Sequence, residues 1–243
     1  MIDLHSHILP GIDDGARTMS DALAMAEQSI QAGVTHLLCT PHMHQGVYDN
    51  SFGSIEPVFI QFVDALQQHA ISLKVAYAAE IRIKPEITAW VQQNQIPFIG
   101  TWQQKPALLL ELPHSHIPAG TDILIRWLLK NNIQAVIPHP ERNREIQQDY
   151  TKATMLKRLG CVFQATAGAF TGSFGQTVYD TAIYLLEAQS IDYIASDTHS
   201  VNRRPNEMDA AAKELRVLLG KEQAEALTLT TPWQISQHLT WCN

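Results

Sequence analysis

Residues 133–142 read IQAVIPHPER. Past Gln134 a short apolar run, without polar alternation, meets a histidine, an acid and an arginine. A strand with one wet face alternates apolar and polar side chains, whereas an unbroken apolar run reads as a strand covered on both faces, as in a parallel sheet. The same form recurs along the chain, at 2–5, 34–40, 73–80, 107–112, 161–166 and 191–197, giving seven β-like runs with 133–139. Helical spacing fills the gaps. Leu23, Ala26, Ile30 and Val34 fall near one face, as do Phe59, Phe62, Val63 and Leu66, and again Val178, Ala182, Leu185 and Leu186. TMSD at 18–21 has the form of a capping box. Gly168, Gly172 and Gly175 mark a flexible loop, and the stretch from Arg204 reads as outer helices, with Pro232 starting the last. Strands alternating with helices predict an α/β fold with right-handed crossovers between parallel strands.

The length of 243 residues suits one barrel or two small domains. With no linker or low-complexity segment in view, the expectation is a single domain over 1–243. The formal net charge of -7 argues against a broad nucleic-acid surface, although HPERNR and NRRP are local basic spots. No apolar run has the length of a membrane span, and no basic segment followed by an apolar stretch opens the chain. A cytoplasmic protein without membrane insertion is therefore expected. Cys39, Cys161 and Cys242 form no CxxC pair and read as small apolar residues rather than a disulfide or zinc framework. Nothing in the sequence sets an oligomeric state.

The ends of the runs carry the chemistry. They finish DLHSH, CTPHMH, AAE, LLELPH, VIPHPER and ASDTH, so six of the seven end on His, Asp or Glu. In parallel α/β folds, sites gather at the carboxyl ends of strands. Taken singly, a His at a strand end is usually a satisfied polar residue, and Glu80 or Glu111 could cap a neighbouring helix or pair with an Arg. Taken together they favour a metal site, since clustered acids would repel and raise one another's pKa unless cations relieved them. The candidate set is His5, His7, Asp14, His42, Glu80, Glu111, His139, Asp197 and His199, nine residues and thus generous for two ions. Three cations sharing a bridging carboxylate fit better.

These motifs, with HSHILPGIDDGA, HPERN and SDTHSVNRRP, resemble the polymerase and histidinol phosphatase (PHP) family over nearly the whole chain. The branch they resemble is the bacterial protein-tyrosine phosphatases of capsule and exopolysaccharide synthesis. That resemblance implies a distorted seven-stranded (β/α) barrel, TIM-like, with three divalent ions at the carboxyl rim of its strands. Manganese is favoured, with iron and zinc as alternatives. By resemblance His5, His7, Glu80 and Asp197 hold one ion. Glu80 bridges to a second held with Glu111 and His139, and Asp14, His42 and His199 hold the third. Asp13 stays open as the ligand in place of Asp14. Arg142 and Arg204 are the implied phosphate clamps and, with Asp14, the implied catalytic residues; Arg203 stays open as a substitute for its neighbour. His44 is implied to face the substrate. The implied reaction is hydrolysis of a phosphotyrosine protein, the tail of a bacterial tyrosine kinase that controls polysaccharide export.

A cysteine-dependent phosphatase needs an Arg six positions after its nucleophile, and the residues there are Gln45 after Cys39 and Ala167 after Cys161. An amidohydrolase barrel also begins with HxH but accommodates Glu80, Glu111 and Asp14 poorly. A small-molecule phosphatase of the same family, such as a histidinol phosphatase, shares the metal chemistry and stands as the rival. A regulatory barrel without metals would be expected to lose ligands, and all nine are present.

Overall fold

The computed structural model describes all 243 residues, Met1–Asn243. Its ten strands are β1 (Ile2–Ser6), β2 (His36–Cys39), β3 (His42–Met43), β4 (Lys74–Tyr77), β5 (Glu80–Arg82), β6 (Thr101–Trp102), β7 (Lys105–Glu111), β8 (Gln134–Pro138), β9 (Val162–Thr166) and β10 (Tyr193–Ala195). Each of the seven expected runs contains a strand. β1, β2 and β4 form one parallel sheet, and β10-β9-β8-β7-β5-β3 form a second, in which all pairs are parallel. β6 is a short antiparallel addition to β7. The architecture is α/β with parallel sheets, and β1, β8 and β9 are buried along their whole length.

Two of the expected runs are each followed, after a two-residue break, by a short extra strand, which the apolar pattern does not reveal. β2 stops at Thr40–Pro41 and resumes as β3 in the other sheet. Proline has no N–H to offer a ladder. The Thr40 hydroxyl substitutes beside it, accepting from the Ser6 N–H at 3.0 Å and lying 3.3 Å from the Ser6 carbonyl. β4 likewise breaks at Ala78–Ala79 before β5. Each break passes the chain between sheets just before His42 and Glu80.

β1 also meets β10. The Asp197 N–H donates to the His5 carbonyl at 2.8 Å, the His7 N–H to the Thr198 carbonyl at 2.9 Å, and Ser6 and Thr198 form a parallel bridge. The fully buried Asp3 carboxylate reinforces this seam by accepting from the Ser196 N–H at 2.9 Å and from Asn206 Nδ2 at 2.9 Å. A buried acid is tolerated when donors surround it in this way.

The helices cover the sheets. Thr18 caps Met19–Gln31 with the expected box, its hydroxyl accepting from the Asp21 N–H while Asp21 accepts from the Thr18 N–H. The inward face of this helix differs from the expectation: Ala22, Met25, Ala26 and Ser29 are buried, Ile30 is exposed, and Val34 lies beyond the helix. Gly33, at φ 78°, turns the chain before Val34 can extend the periodic face. Phe59, Phe62 and Leu66 are buried in Phe52–Gln68, and Ala182, Leu185 and Leu186 in Gln176–Glu187. Gly168 does not belong to a flexible loop. It is buried in the short helix Ala167–Phe170, where a Cβ would come within 2.5 Å of Glu207 Oε2. Pro232 lies in the first turn of the closing helix, Thr231–Ser236. No helix is long and apolar enough to cross a membrane.

Replacing Thr18 by Ala should cost about 1 kcal/mol, the usual value of an N-cap side chain. Urea unfolding would read this directly, and an unmoved midpoint would show that the cap contributes nothing here.

Candidate metal centre

β1 presents His5, and the chain just beyond it presents His7. Both are fully buried, and each ring is held from behind. His5 Nδ1 lies 2.7 Å from Gln164 Oε1, while Gln164 Nε2 donates to the Ala165 carbonyl, which fixes the amide with its oxygen toward His5. His5 therefore carries its proton on Nδ1. His7 Nδ1 donates to Asp13 Oδ2 at 2.8 Å. With both Nδ1 atoms engaged, the two Nε2 atoms meet at 3.2 Å, each also 3.3 to 3.5 Å from Glu80 Oε2 and Asp197 Oδ1. Burial disfavours the charged rings, but the surrounding acids outweigh it and raise the pKa of both, that of His7 well above its usual value. The two Nε2 atoms and the two carboxylates thus enclose a place for positive charge, which a proton or a shared cation would supply.

The DD pair is separated by the geometry. Both Asp13 oxygens are engaged: Oδ1 accepts from the Gly15 N–H at 2.9 Å, and Oδ2 accepts from His7 and from the His42 N–H at 3.1 Å. Asp13 thus orients His7 from behind. Asp14 points the other way, with Oδ1 3.4 Å from His42 Nε2 and 3.5 Å from His199 Nε2. His199 Nδ1 donates to the Asp197 carbonyl at 2.9 Å, leaving Nε2 free toward Asp14. The turn is tight enough that a Cβ on Gly15 would come within 1.8 Å of the His7 carbonyl oxygen.

Glu80 occupies the middle. Its Oε1 accepts from His139 Nε2 at 2.9 Å, and its Oε2 lies 3.4 Å from His5 Nε2, 3.5 Å from His7 Nε2 and 2.8 Å from His42 Nδ1. β3, β5 and β7 set this arrangement, since His42 pairs with Glu80 and Arg82 with Glu111 in register. Glu111 Oε1 is bound by Arg82 at 3.0 Å. His139 and Asp197 both adopt positive φ, 39° and 53°. Non-glycine residues hold that conformation only where surrounding contacts impose it. Here the imposing contacts are the His139 N–H to the Gln164 carbonyl at 2.7 Å and the Asp197 N–H to His5.

The sequence-based expectation that crowding raises every acid applies only to Glu111, pushed up to about 7 by burial and by neighbouring Glu80. Burial opposes ionisation of Glu80, but His5, His42 and His139 outweigh it and hold the carboxyl well below its usual range. Asp197 is lowered in the same way against burial, chiefly by Arg204 and His5, and Asp14 by His199 and His42. Burial brings His139 down to about 3 and His199, beside His7, to about 4, so both rings are neutral. The nine expected residues converge, and three groupings within them, with a fourth that adds His114, have ligand atoms close enough to share an ion; Asp197 belongs to none of the four. These are His7, Asp14, His42 and His199; His5, His7 and Glu80; His42, Glu80 and Glu111; and Glu111, His114 and His139.

The two arginines expected as phosphate clamps are both paired with Asp197. Arg142 Nη1 and Arg204 Nη2 each lie 2.5 Å from Asp197 Oδ2. Arg203 is exposed, so Arg204 is the one of the pair that reaches the site. His44 lines the same cleft of about 290 Å³ as Asp14, Glu111 and both site arginines. Four contributors escaped the sequence reading. Gln164 left a signal, as a polar residue inside an otherwise apolar strand, and His114 ends the quoted LLELPH. Arg82 and Tyr48 left none. Cys39 and Cys161 are buried, and burial pushes the Cys161 thiol up to about 12, which suits inert apolar packing.

A model of the family described as capsular polysaccharide synthesis, CpsB/CapC, matches residues 1–237. The chain belongs to that family. Among CpsB/CapC relatives, tyrosine-protein phosphatase YwqE of Bacillus subtilis is 33% identical over 228 residues, 94% of this chain and 89% of that protein. Tyrosine-protein phosphatase CpsB of Streptococcus pneumoniae is 26% identical over 243 residues, 97% of this chain and 98% of its own. A crystal structure from work on YwqE and CpsB, described as unique metal-dependent tyrosine phosphatases, superposes with a TM-score of 0.91 at 31% identity, covering 99% of this chain and 96% of that one.

Substituting Gly15 by Ala should lower stability by about 1–3 kcal/mol, the cost of forcing atoms into packed space. Gly53→Ala is the control, because a Cβ there meets nothing within 4 Å. Equal melting temperatures for the two variants would overturn the reading of the DD turn.

Proposed function

We propose that this chain is a metal-dependent protein-tyrosine phosphatase of capsular or extracellular polysaccharide synthesis, whose substrate is the phosphorylated tail of a bacterial tyrosine kinase in the cytoplasm. The observation that carries the metal site is the convergence of His5 Nε2 and His7 Nε2, 3.2 Å apart, on the buried carboxylates of Glu80 and Asp197. The donor set fits cations in a second respect: Glu111 Oε2 is buried without a hydrogen-bond partner, and His42 Nδ1 and Glu80 Oε2, though 2.8 Å apart, do not meet in hydrogen-bond geometry. Buried polar atoms without partners are costly, and a divalent ion would satisfy them.

The assignment is three ions. His5, His7, Glu80 and Asp197 would hold one, Glu80, Glu111 and His139 the second, and Asp14, His42 and His199 the third, with Glu80 shared. Imidazole and carboxylate donors suit manganese, and also iron or zinc. Bound divalent ions would lower the pKa of a water nucleophile and polarise the phosphoryl group. The remaining work falls to the chain. Arg142 and Arg204 present planar forks for phosphoryl oxygens, and their shared anchor on Asp197 keeps both aimed into the cleft. His44 faces the substrate beside them. Tyrosine leaves as a phenoxide whose conjugate acid has a pKa of about 10, so the reaction needs little help from a general acid. The seam between β1 and β10, with the breaks joining β2 to β3 and β4 to β5, supports a distorted seven-stranded barrel formed by one domain over 1–243.

Turnover of a phosphotyrosine peptide, a phosphoserine peptide and histidinol phosphate with added manganese tests the assignment. The phosphotyrosine peptide should be the best substrate; preference for histidinol phosphate would move the protein to the small-molecule branch. His199→Ala should abolish turnover while circular dichroism stays that of the parent, and full activity would remove the third ion from the scheme. Chelation should lower the melting temperature, because ions that bind the folded cluster and not the unfolded chain stabilise the fold. An unchanged melting temperature after verified metal removal would count against the site. Asp13→Ala should weaken manganese binding about 10–100-fold, the usual effect of losing the group that orients a ligand histidine; unchanged affinity would return Asp13 to a structural role.

A further inference from the structure

The cleft over the candidate metal centre is lined by fourteen residues, of which two are hydrophobic, Val47 and Tyr48. The other twelve bring histidines, acids and arginines. Val47 and Tyr48 are neighbours in one tight hairpin. The His44 N–H donates to the Tyr48 carbonyl at 3.0 Å and the Tyr48 N–H returns to the His44 carbonyl at 2.7 Å. Gly46, at φ 85°, makes the turn, and its N–H donates to Asp49 Oδ1 at 2.6 Å. The hairpin is tied down from both sides. Asn50 Nδ2 donates to the Ile12 and His42 carbonyls at 2.8 Å each, and Lys84 Nζ donates to the Gln45 carbonyl at 2.7 Å. Val47 is 60% exposed, and the Tyr48 ring is nearly parallel to His42, 9° between planes with centroids 5.5 Å apart.

We infer that the hairpin 44–48 is the aryl-recognition wall of this cleft, with Val47 and Tyr48 holding the phenyl ring of the substrate while the polar floor takes its phosphate. The inference rests on the phosphatase reading and adds the origin of aryl selectivity. An alkyl phosphomonoester offers no flat apolar surface to this wall, so its affinity depends on the polar floor alone. An aryl phosphate gains stacking on Tyr48 and contact with Val47. Tyr48 acts here through its ring face, so the hydroxyl is dispensable.

The test is binding of phenylphosphonate and methylphosphonate to the manganese-loaded protein by calorimetry, paired with turnover of phosphotyrosine and phosphoserine peptides. Tyr48→Ala should reduce the preference for phenylphosphonate over methylphosphonate about tenfold, the upper range of an aromatic contact, whereas Tyr48→Phe keeps it. Because Tyr48 also stacks on His42, Val47→Ser provides a variant that leaves that stack alone, and it should lower the same preference about threefold, as expected from losing part of a methyl contact. Equal losses for both phosphonates, or an unchanged ratio in both Tyr48→Ala and Val47→Ser, would overturn the wall. If the parent protein turns over neither peptide yet discriminates the phosphonates through Tyr48, the phosphatase reading fails and the wall stands.

Discussion

Four imidazoles converge on the carboxylate of Glu80, those of His5, His7, His42 and His139. The rest of the architecture can be read as what makes this convergence tolerable. A fully buried acid must be compensated on every side. The compensation comes from segments far apart in sequence, so the sheets must hold their carboxyl ends in fixed register for the cluster to exist. The breaks in β2 and β4 do this locally, turning His42 and Glu80 into paired neighbours. The β1–β10 seam does it globally, bringing His5 and Asp197 together through a backbone hydrogen bond of 2.8 Å.

Behind each inward atom stands a residue that fixes its orientation. Gln164 sets the His5 ring, Asp13 sets His7, the Asp197 carbonyl sets His199, and Arg82 holds Glu111. Such outer contacts set which ring nitrogen points where, leaving Nε2 of His5, His7 and His199 directed inward. The positive φ angles of His139 and Asp197 belong to the same economy of constraint: backbone strain is held at the two places where strand becomes loop and a ligand-type side chain must turn inward.

The legible part of this molecule was the part written in side-chain pattern. Unbroken apolar runs announced the parallel strands, because burial on both faces removes alternation, and acids and histidines at their ends announced the cluster. What stayed hidden depends on contacts across the chain. Nothing in CTPHMH shows that Pro41 ends one strand and lets another begin in a different sheet. Nothing in IDDGA distinguishes two adjacent aspartates; in the tight turn, where a would-be Gly15 Cβ would come within 1.8 Å of the His7 carbonyl oxygen, Asp13 is buried behind His7 and the more exposed Asp14 reaches His42 and His199. The helix Met19–Gln31 was legible in its cap but not in its face, since Gly33 ends the periodic pattern before Val34. The paired acids were misjudged for the same reason: their mutual repulsion is visible in sequence, while the imidazoles and arginines that outweigh it come from elsewhere.

Asp197 shows how far a single side chain can link opposite charges. Its Oδ1 lies 3.4 Å from His5 Nε2, 3.3 Å from His7 Nε2 and 3.5 Å from His199 Nδ1, while its Oδ2 binds Arg142 and Arg204. One oxygen faces the cluster that would take cations, and the other holds the two groups that would take an anion. A cation drawing on this carboxylate weakens its hold on the guanidinium groups, since the same negative charge is shared among more partners. Arginines loosened in that way are freer to donate to a phosphate. On the proposed assignment, cation loading and phosphate affinity would therefore be coupled through Asp197, because the two oxygens of its carboxylate lie between groups of opposite role.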